Sequence, residues 1–305
     1  MVEGATIITG AGGLVGNAVR QILERGGREV IPLDVVPWTE EGKALTVCGL
    51  TEVHRLHAVA RGRKVGGIVH CGAFSGPMVA RDNPPAMVDV NIVGTVNMLE
   101  LARIIGDVRV VYCSSTSAYG PIEGTNIRED VPLKPTTVYG ASKAASEHLV
   151  RAYSLQYGVD AVSLRLSWVY GPRRSTDCIV RQMITDALGG KSTEIGFGAD
   201  FPRQFVYVED AARAIVAALD KPHLARSTYN VTGGTHLTFS EIADVVKSVL
   251  PQAQIALKSG PDLVDDSQGS FSSKAAFEDF GYQPAFTLER GVSAYADWLK
   301  ARNKH

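Results

Sequence analysis

Ala5-Thr6-Ile7-Ile8-Thr9-Gly10-Ala11-Gly12-Gly13-Leu14-Val15-Gly16 carries an apolar pentapeptide into a glycine-rich turn, and a helical pattern follows from Leu14 to about Arg25. Gly10, Gly13 and Gly16 have the spacing GxxGxxG. A turn of this kind suits a pyrophosphate. Residues without Cβ let the backbone turn tightly, approach the phosphates and pack helix on strand, while the helix start presents unpaired N–H groups and a positive dipole end. Gly10, Gly12, Gly13, Leu14, Val15 and Gly16 are therefore expected against a dinucleotide. Asp34 closes the second strand-like run, which begins at Glu29. A carboxylate there accepts hydrogen bonds from an adenosine ribose diol and repels a 2′-phosphate. Val35, Val36 and Pro37 follow without a cation, so the pattern predicts NAD rather than NADP.

Outward from this turn, strands and helices alternate. Strands are expected at Ala44–Val47, Gly67–His70, Val108–Cys113 and Ala161–Leu166, and helices at Glu52–Ala60, 86–105 and 139–157. Apolar strands between helices predict a Rossmann-type α/β fold, a doubly wound parallel sheet covered on both faces. The second half is less regular. It predicts helices near Ile179–Leu188, Glu209–Leu219, Phe239–Leu250 and Leu288–Ala301, and strands near Gln204–Tyr207 and Thr228–Val231. Residues 1–170 read as a dinucleotide-binding domain and 171–305 mainly as a smaller, interleaved α/β substrate domain, with 204–220 returning to the first.

Composition narrows the class. Of 305 residues, 45% are hydrophobic and 21% charged, enough for a large core. Lys plus Arg is 31 and Asp plus Glu 32, a net charge of −1, which gives no electrostatic case for nucleic acid or an anionic membrane. The charge-free stretches Gly4–Val19 and Val65–Ala80 fall short of the ~20 residues of a membrane helix. Cys48, Cys71, Cys113 and Cys178 are scattered without a CxxC pair and read as reduced core thiols of a cytoplasmic protein, neither disulfides nor metal ligands. His54 and His57 read as a surface pair, and no metal site is expected.

Tyr139-Gly140-Ala141-Ser142-Lys143 sets Tyr and Lys four apart at a helix start, on one face. Phenol is a weak base at its free pKa of ~10, and a neighbouring ammonium favours the phenolate. Upstream, a strand runs into Ser114-Ser115-Thr116, and a hydroxyl at the C-terminal end of a parallel strand faces the ligand crevice.

These motifs together resemble the extended short-chain dehydrogenase/reductase family, the NAD-dependent epimerases and dehydratases that include UDP-glucose 4-epimerases. The likeness runs through TGAGGLVG, Asp34, His70-Cys71-Gly72-Ala73, Asn91-Ile92-Val93-Gly94-Thr95, SSTSAYG, YGASKAASE, Val169-Tyr170-Gly171-Pro172 and Arg203-Gln204-Phe205-Val206-Tyr207-Val208. It implies Ser115 as the catalytic hydroxyl, Tyr139 as general base and Lys143 as its partner. It also implies that Cys71, Gly72, Ala73, Asn91 and Ser114 belong to the cofactor wall, and that a homodimer forms through the helices near 86–105 and 139–157.

Three departures bear on substrate. Gly49-Leu50 stands where the family often has Asp-Leu near the adenine. Trp168 replaces a substrate-touching Asn. Lys258-Ser259-Gly260-Pro261-Asp262 lacks the usual diphosphate-gripping Arg. Thr116-Ser117 stands where dehydratases carry an acidic pair. Ser115, Thr116, Trp168, Arg173, Arg174 and Arg203 are the candidate substrate contacts. The resemblance implies hydride transfer at a carbinol carbon of a sugar-type substrate, as in a nucleotide-sugar epimerase. The departures favour a dehydrogenase of a free sugar, sugar acid or other small hydroxy compound. A non-catalytic NAD-binding protein would have no need of Ser115, Tyr139 and Lys143 together.

Overall fold

The computed structural model describes residues 3–302. Twelve strands follow in chain order: β1 (Ala5–Thr9), β2 (Val30–Asp34), β3 (Thr46–Val47), β4 (Val65–His70), β5 (Arg109–Ser115), β6 (Ala161–Leu166), β7 (Trp168–Tyr170), β8 (Ser192–Ile195), β9 (Pro202–Tyr207), β10 (Thr228–Val231), β11 (His236–Thr238) and β12 (Gln254–Leu257). The helices are α1 (Leu14–Arg25), α2 (Val53–Ala60), α3 (Pro84–Val88), α4 (Gly94–Ile105), α5 (Val138–Tyr157), α6 (Ile179–Leu188), α7 (Val208–Asp220), α8 (Phe239–Val249), α9 (Lys274–Phe280) and α10 (Leu288–Arg302).

Seven strands form one sheet in the order β10-β6-β5-β4-β1-β2-β3, and every pairing in it is parallel. β1, β4 and β6 are buried along their whole length, as apolar strands covered on both faces must be. Side chains alternate between two cores. Ile8, Val69, Val111 and Val162 face the layer that holds α1 and α7. Ile7, Ile68, Val110 and Tyr112 face the layer of α2, α4 and α5, with Leu56, Met98 and Val150. The chain winds outward in both directions from β1 and β4. The crevice beyond their C-terminal ends is the topological switch point where such sheets bind ligands.

The second half supplies two pieces of this layer structure. β10 pairs with β6 at the sheet edge. α7 lies on the sheet, where Gly67 gives Leu219 room: a Cβ at Gly67 would stand 2.7 Å from Leu219 Cδ1. Asp220 pairs with Arg28, and Arg109 donates to the carbonyls of Ala218 and Pro222. The remainder builds a smaller lobe from β11-β9-β7, the parallel pair β12-β8, and helices α6, α8 and α10.

The sheet and its flanking helices match the expected α/β class. The details differ where the pattern is short. The third strand shrinks to Thr46–Val47, both exposed. The helix expected over 86–105 is α3, a π-helical turn at Asp89–Val93, and α4. β7, β8, β11, β12 and α9 are additional elements of three to seven residues.

Candidate active site

The turn between β1 and α1 forms because its residues lack side chains. Gly10 has φ 65°, and a Cβ there would meet Gly72 Cα at 2.9 Å. A Cβ at Gly16 would lie 2.1 Å from the Gly10 carbonyl oxygen. Gly13 caps α1 without a side-chain bond, which leaves the first N–H groups of the helix turned toward the crevice. Gly12 N–H donates to Asp34 Oδ2 at 2.8 Å, and Val35 N–H to Oδ1 at 2.7 Å. The carboxylate is fixed at the turn and keeps acceptor capacity for a diol.

The Ser115, Tyr139 and Lys143 side chains stand on β5 and α5. Ser115 caps the 3₁₀ turn Thr116–Tyr119: its Oγ accepts from Ser117 N–H at 3.1 Å and donates to Ser117 Oγ at 3.2 Å. Thr137 caps α5 by accepting from Gly140 N–H at 3.0 Å, which places Tyr139 in the first turn. Lys143 follows one turn later, 4% exposed, and its Nζ donates to the Cys113 carbonyl at 2.8 Å. Nζ lies 4.9 Å from the Tyr112 ring centre and 5.9 Å from that of Tyr139. Burial works against the ammonium, but Tyr112, Tyr139 and Cys113 outweigh it and hold Lys143 above its usual value.

A cleft of about 660 Å³ joins the two ends. Its walls include Gly10, Gly12, Gly13, Leu14, Val15, Gly16, Asp34, Gly49, Leu50, Cys71, Gly72, Ala73, Ser114, Ser115, Tyr139, Lys143, Trp168 and Arg174. Four candidates stand elsewhere. Asn91 is buried behind the wall. Its amide accepts from Phe74 N–H at 2.8 Å and donates to Phe74 O at 3.1 Å and Ser142 Oγ at 3.0 Å. Thr116 is buried with its carbonyl bound by Gln268. Arg173 pairs with Glu41. Arg203 is 4% exposed, stacked 4.6 Å from the Trp168 ring centre, and ion-paired with Asp265 at 3.1 Å and Asp262 at 3.4 Å.

The structure also shows supporting residues without a sequence signal strong enough to single them out. Ser114 Oγ donates to Glu147, which pairs with Arg165 at 2.7 Å in the core. Glu147 sits one turn beyond Lys143, so the i, i+4 spacing within YGASKAASE was its only mark. His70 bridges Thr9 Oγ1 at 2.7 Å and Thr95 Oγ1 at 3.1 Å. Burial, then the charge of Lys143, push its pKa down to about 3, so it is neutral. The loop Phe74–Val79 and Ser167, Ser175 and Thr176 complete the cleft.

Residues 6–232 match the NAD dependent epimerase/dehydratase family. The chain belongs to that family. Relatives within and around it span nearly the whole chain. The dTDP-glucose 4,6-dehydratase of Neisseria gonorrhoeae is 28% identical, covering 96% of this chain and 94% of its own. A putative UDP-glucose 4-epimerase of Methanocaldococcus jannaschii is 27% identical over 98% of this chain and 99% of its own. Among solved structures, the Thermus thermophilus UDP-glucose 4-epimerase complex with NAD has a TM-score of 0.87 at 26% identity, covering 97% of this chain and 99% of that one. The Thermotoga maritima UDP-glucose 4-epimerase has a TM-score of 0.90 at 21% identity over 98% and 99%, a likeness of fold. As a member of an NAD-dependent epimerase/dehydratase family, the chain is an enzyme and its cofactor is NAD. The residues present fit that cofactor: the cradle has no room for a Cβ at Gly10 or Gly16, and Asp34 stands beside it without a neighbouring cation at Val35 and Val36. Among the described residues, no helix is long and apolar enough to cross a membrane.

Proposed function

We propose that the chain acts at a carbinol carbon of a nucleotide-linked sugar, in the manner of a nucleotide-sugar epimerase. The observation that carries this reading is the meeting of Ser115, Tyr139 and Lys143 at one end of a cleft whose other end is the glycine turn and Asp34. Bound NAD supplies a hydride acceptor that becomes the donor once reduced. Gly10, Gly12, Gly13 and the start of α1 hold its pyrophosphate, and Asp34 its adenosine ribose. Tyr139 takes the substrate hydroxyl proton on its phenol oxygen and returns it. Ser115 Oγ, already aimed by the Ser117 N–H, donates to the substrate oxygen. Lys143 spends one N–H on Cys113 and keeps two for the Tyr139 oxygen and the nicotinamide ribose. Asn91 acts from behind, holding the Phe74 loop against α5. Trp168 and Arg174 form the substrate wall, with Thr116-Ser117 giving no acidic pair of the kind a dehydratase uses.

The same reading assigns residues 1–170 to cofactor and most of 171–305 to substrate. It pairs two chains through α3, the π-helical turn, α4 and α5, where Val88, Val93, Leu155 and Tyr157 are exposed, and places the enzyme in the cytoplasm. The test is incubation with NAD and a panel of nucleotide sugars and free sugar acids, following NADH absorbance and product identity. Product change without NADH release, abolished in Tyr139→Phe, supports the epimerase.

One observation favours a second reading. Arg203, a candidate anion anchor, is already neutralised by Asp262 and Asp265. That arrangement favours a small hydroxy substrate without a diphosphate, and net NADH release in the same assay would select it.

A further inference from the structure

Cys71 and Cys113 stand side by side in the cleft wall. His70 and Tyr112 are register partners on parallel β4 and β5, so the following residues come opposite one another, one strand spacing of about 4.8 Å apart. Their Sγ atoms are 3.3 Å apart, and both thiols are free. Bridged cysteines have Cα atoms ~4.4–6.8 Å apart, and the spacing of adjacent strands falls in that range. Neither sulfur has a part in the chemistry assigned to Ser115, Tyr139 and Lys143.

We propose that Cys71 and Cys113 are a dithiol modification site, closed into an intramolecular disulfide by a hydroperoxide, and that closure weakens cofactor binding. One sulfur attacks the peroxide, the O–O bond breaks, and an alcohol or water leaves as that sulfur becomes a sulfenic acid. The second sulfur attacks the first, the S–O bond breaks, and water leaves. Two electrons pass from the sulfurs to the peroxide, and the two thiol protons depart in the alcohol and the water.

Closure matters because the wall has no slack. The sulfurs must approach from 3.3 Å to about 2.05 Å. Gly72, next to Cys71, packs backbone to backbone against Gly10. The Cys113 carbonyl is the anchor of Lys143. Drawing the two side chains together therefore strains the glycine turn on one side and the lysine anchor on the other, in a densely packed region. The hydrogen bond with Cys113 and burial push the Cys71 thiol up, against the pull of Lys143. A dinucleotide in the cleft would cover both sulfurs.

The experiment treats the purified protein with hydrogen peroxide, with and without saturating NAD, and alkylates residual thiols under denaturing conditions. Peptide mass mapping then reads the linkage, and calorimetry reads NAD affinity. The expected result is a Cys71–Cys113 linked peptide that dithiothreitol reverses and that forms more slowly with NAD present. NAD binding of the bridged protein is expected to be weaker by about tenfold or more, equivalent to ~1.4 kcal/mol. Cys113→Ser, which cannot bridge, is expected to keep its own NAD affinity through the same treatment. Absence of the linked peptide, unchanged NAD affinity in the bridged protein, or an equal peroxide effect in Cys113→Ser would each overturn the proposal.

Discussion

Gly16 faces the Gly10 carbonyl across a gap that no side chain can enter. Gly16→Ala must push α1 off the turn, and overpacking of this kind costs roughly 1–3 kcal/mol. The expected outcome is a lower melting temperature together with a loss of NAD binding by calorimetry; unchanged affinity would put the pyrophosphate elsewhere. At the other end, Tyr139→Phe removes the phenol oxygen proposed as the acid–base group and leaves the cradle intact. Turnover should fall by ~10²–10⁴, with NAD affinity nearly unchanged. Lys143→Ala should harm both, because on the proposed mechanism its N–H groups serve the phenol and the ribose. The gathering of these residues around one cleft was legible in the sequence because each is a fixed type at a fixed spacing within one turn or one helix. The setting of Arg203 was not. Asp262 lies 59 residues away, and no local pattern announces a pairing of that separation.

Among the elements, the junction of β1, β4 and α4 turns on His70. The imidazole bridges Thr9 at the end of β1 to Thr95 in α4, and burial and Lys143 hold its pKa at about 3, against ~6.5 in a free chain. A base lowered on folding binds fewer protons in the fold than in the unfolded chain. Its contribution is fully present above ~6.5 and is lost as the pH falls toward 3. The gap in melting temperature between wild type and His70→Asn should therefore narrow from pH 7 to pH 4, read by circular dichroism. A constant gap would mean that His70 charges within the fold. The long strands and helices were visible from apolar runs and 3.6-residue spacing. The π-helical turn at Asp89–Val93 was not, since one widened turn hardly disturbs the apolar stripe. Its use is structural: the Asn91 carbonyl accepts from both Thr95 Oγ1 and Ser146 Oγ, tying α4 to α5. β7 and β11, at three residues each, are too short to show a period and are held in place by β9.

Across the whole molecule, a strap leaves β12, crosses Arg203, and reaches the turn that follows β5. Asp262 and Asp265 pair with Arg203, Thr136 donates to Asp266 at 2.5 Å just before α5, and Gln268 binds the carbonyls of Thr116 and Gly120. The strap thus joins the smaller lobe to both Ser115 and Tyr139 by way of their neighbours. Its charge match is imperfect. Burial pushes Asp265 up to about 6 in spite of Arg203, and among the described residues Arg203 Nε has no hydrogen-bond partner. Buried polar atoms without partners mark an arrangement that a better acceptor could replace. A diphosphate is such an acceptor, and each charge-assisted hydrogen bond it makes contributes roughly 1.5–3 kcal/mol. Wild-type protein should then bind UDP weakly, because the nucleotide must first displace two carboxylates. Asp262→Asn/Asp265→Asn should bind it about one to two decades more tightly, since one such bond is gained without the competing charge. Calorimetry with UDP on both proteins decides the matter. Micromolar binding to wild type that the double variant leaves unchanged, and that Arg174→Ala abolishes, would show the strap to be irrelevant to the diphosphate and move the anion site to the cleft wall beside Trp168.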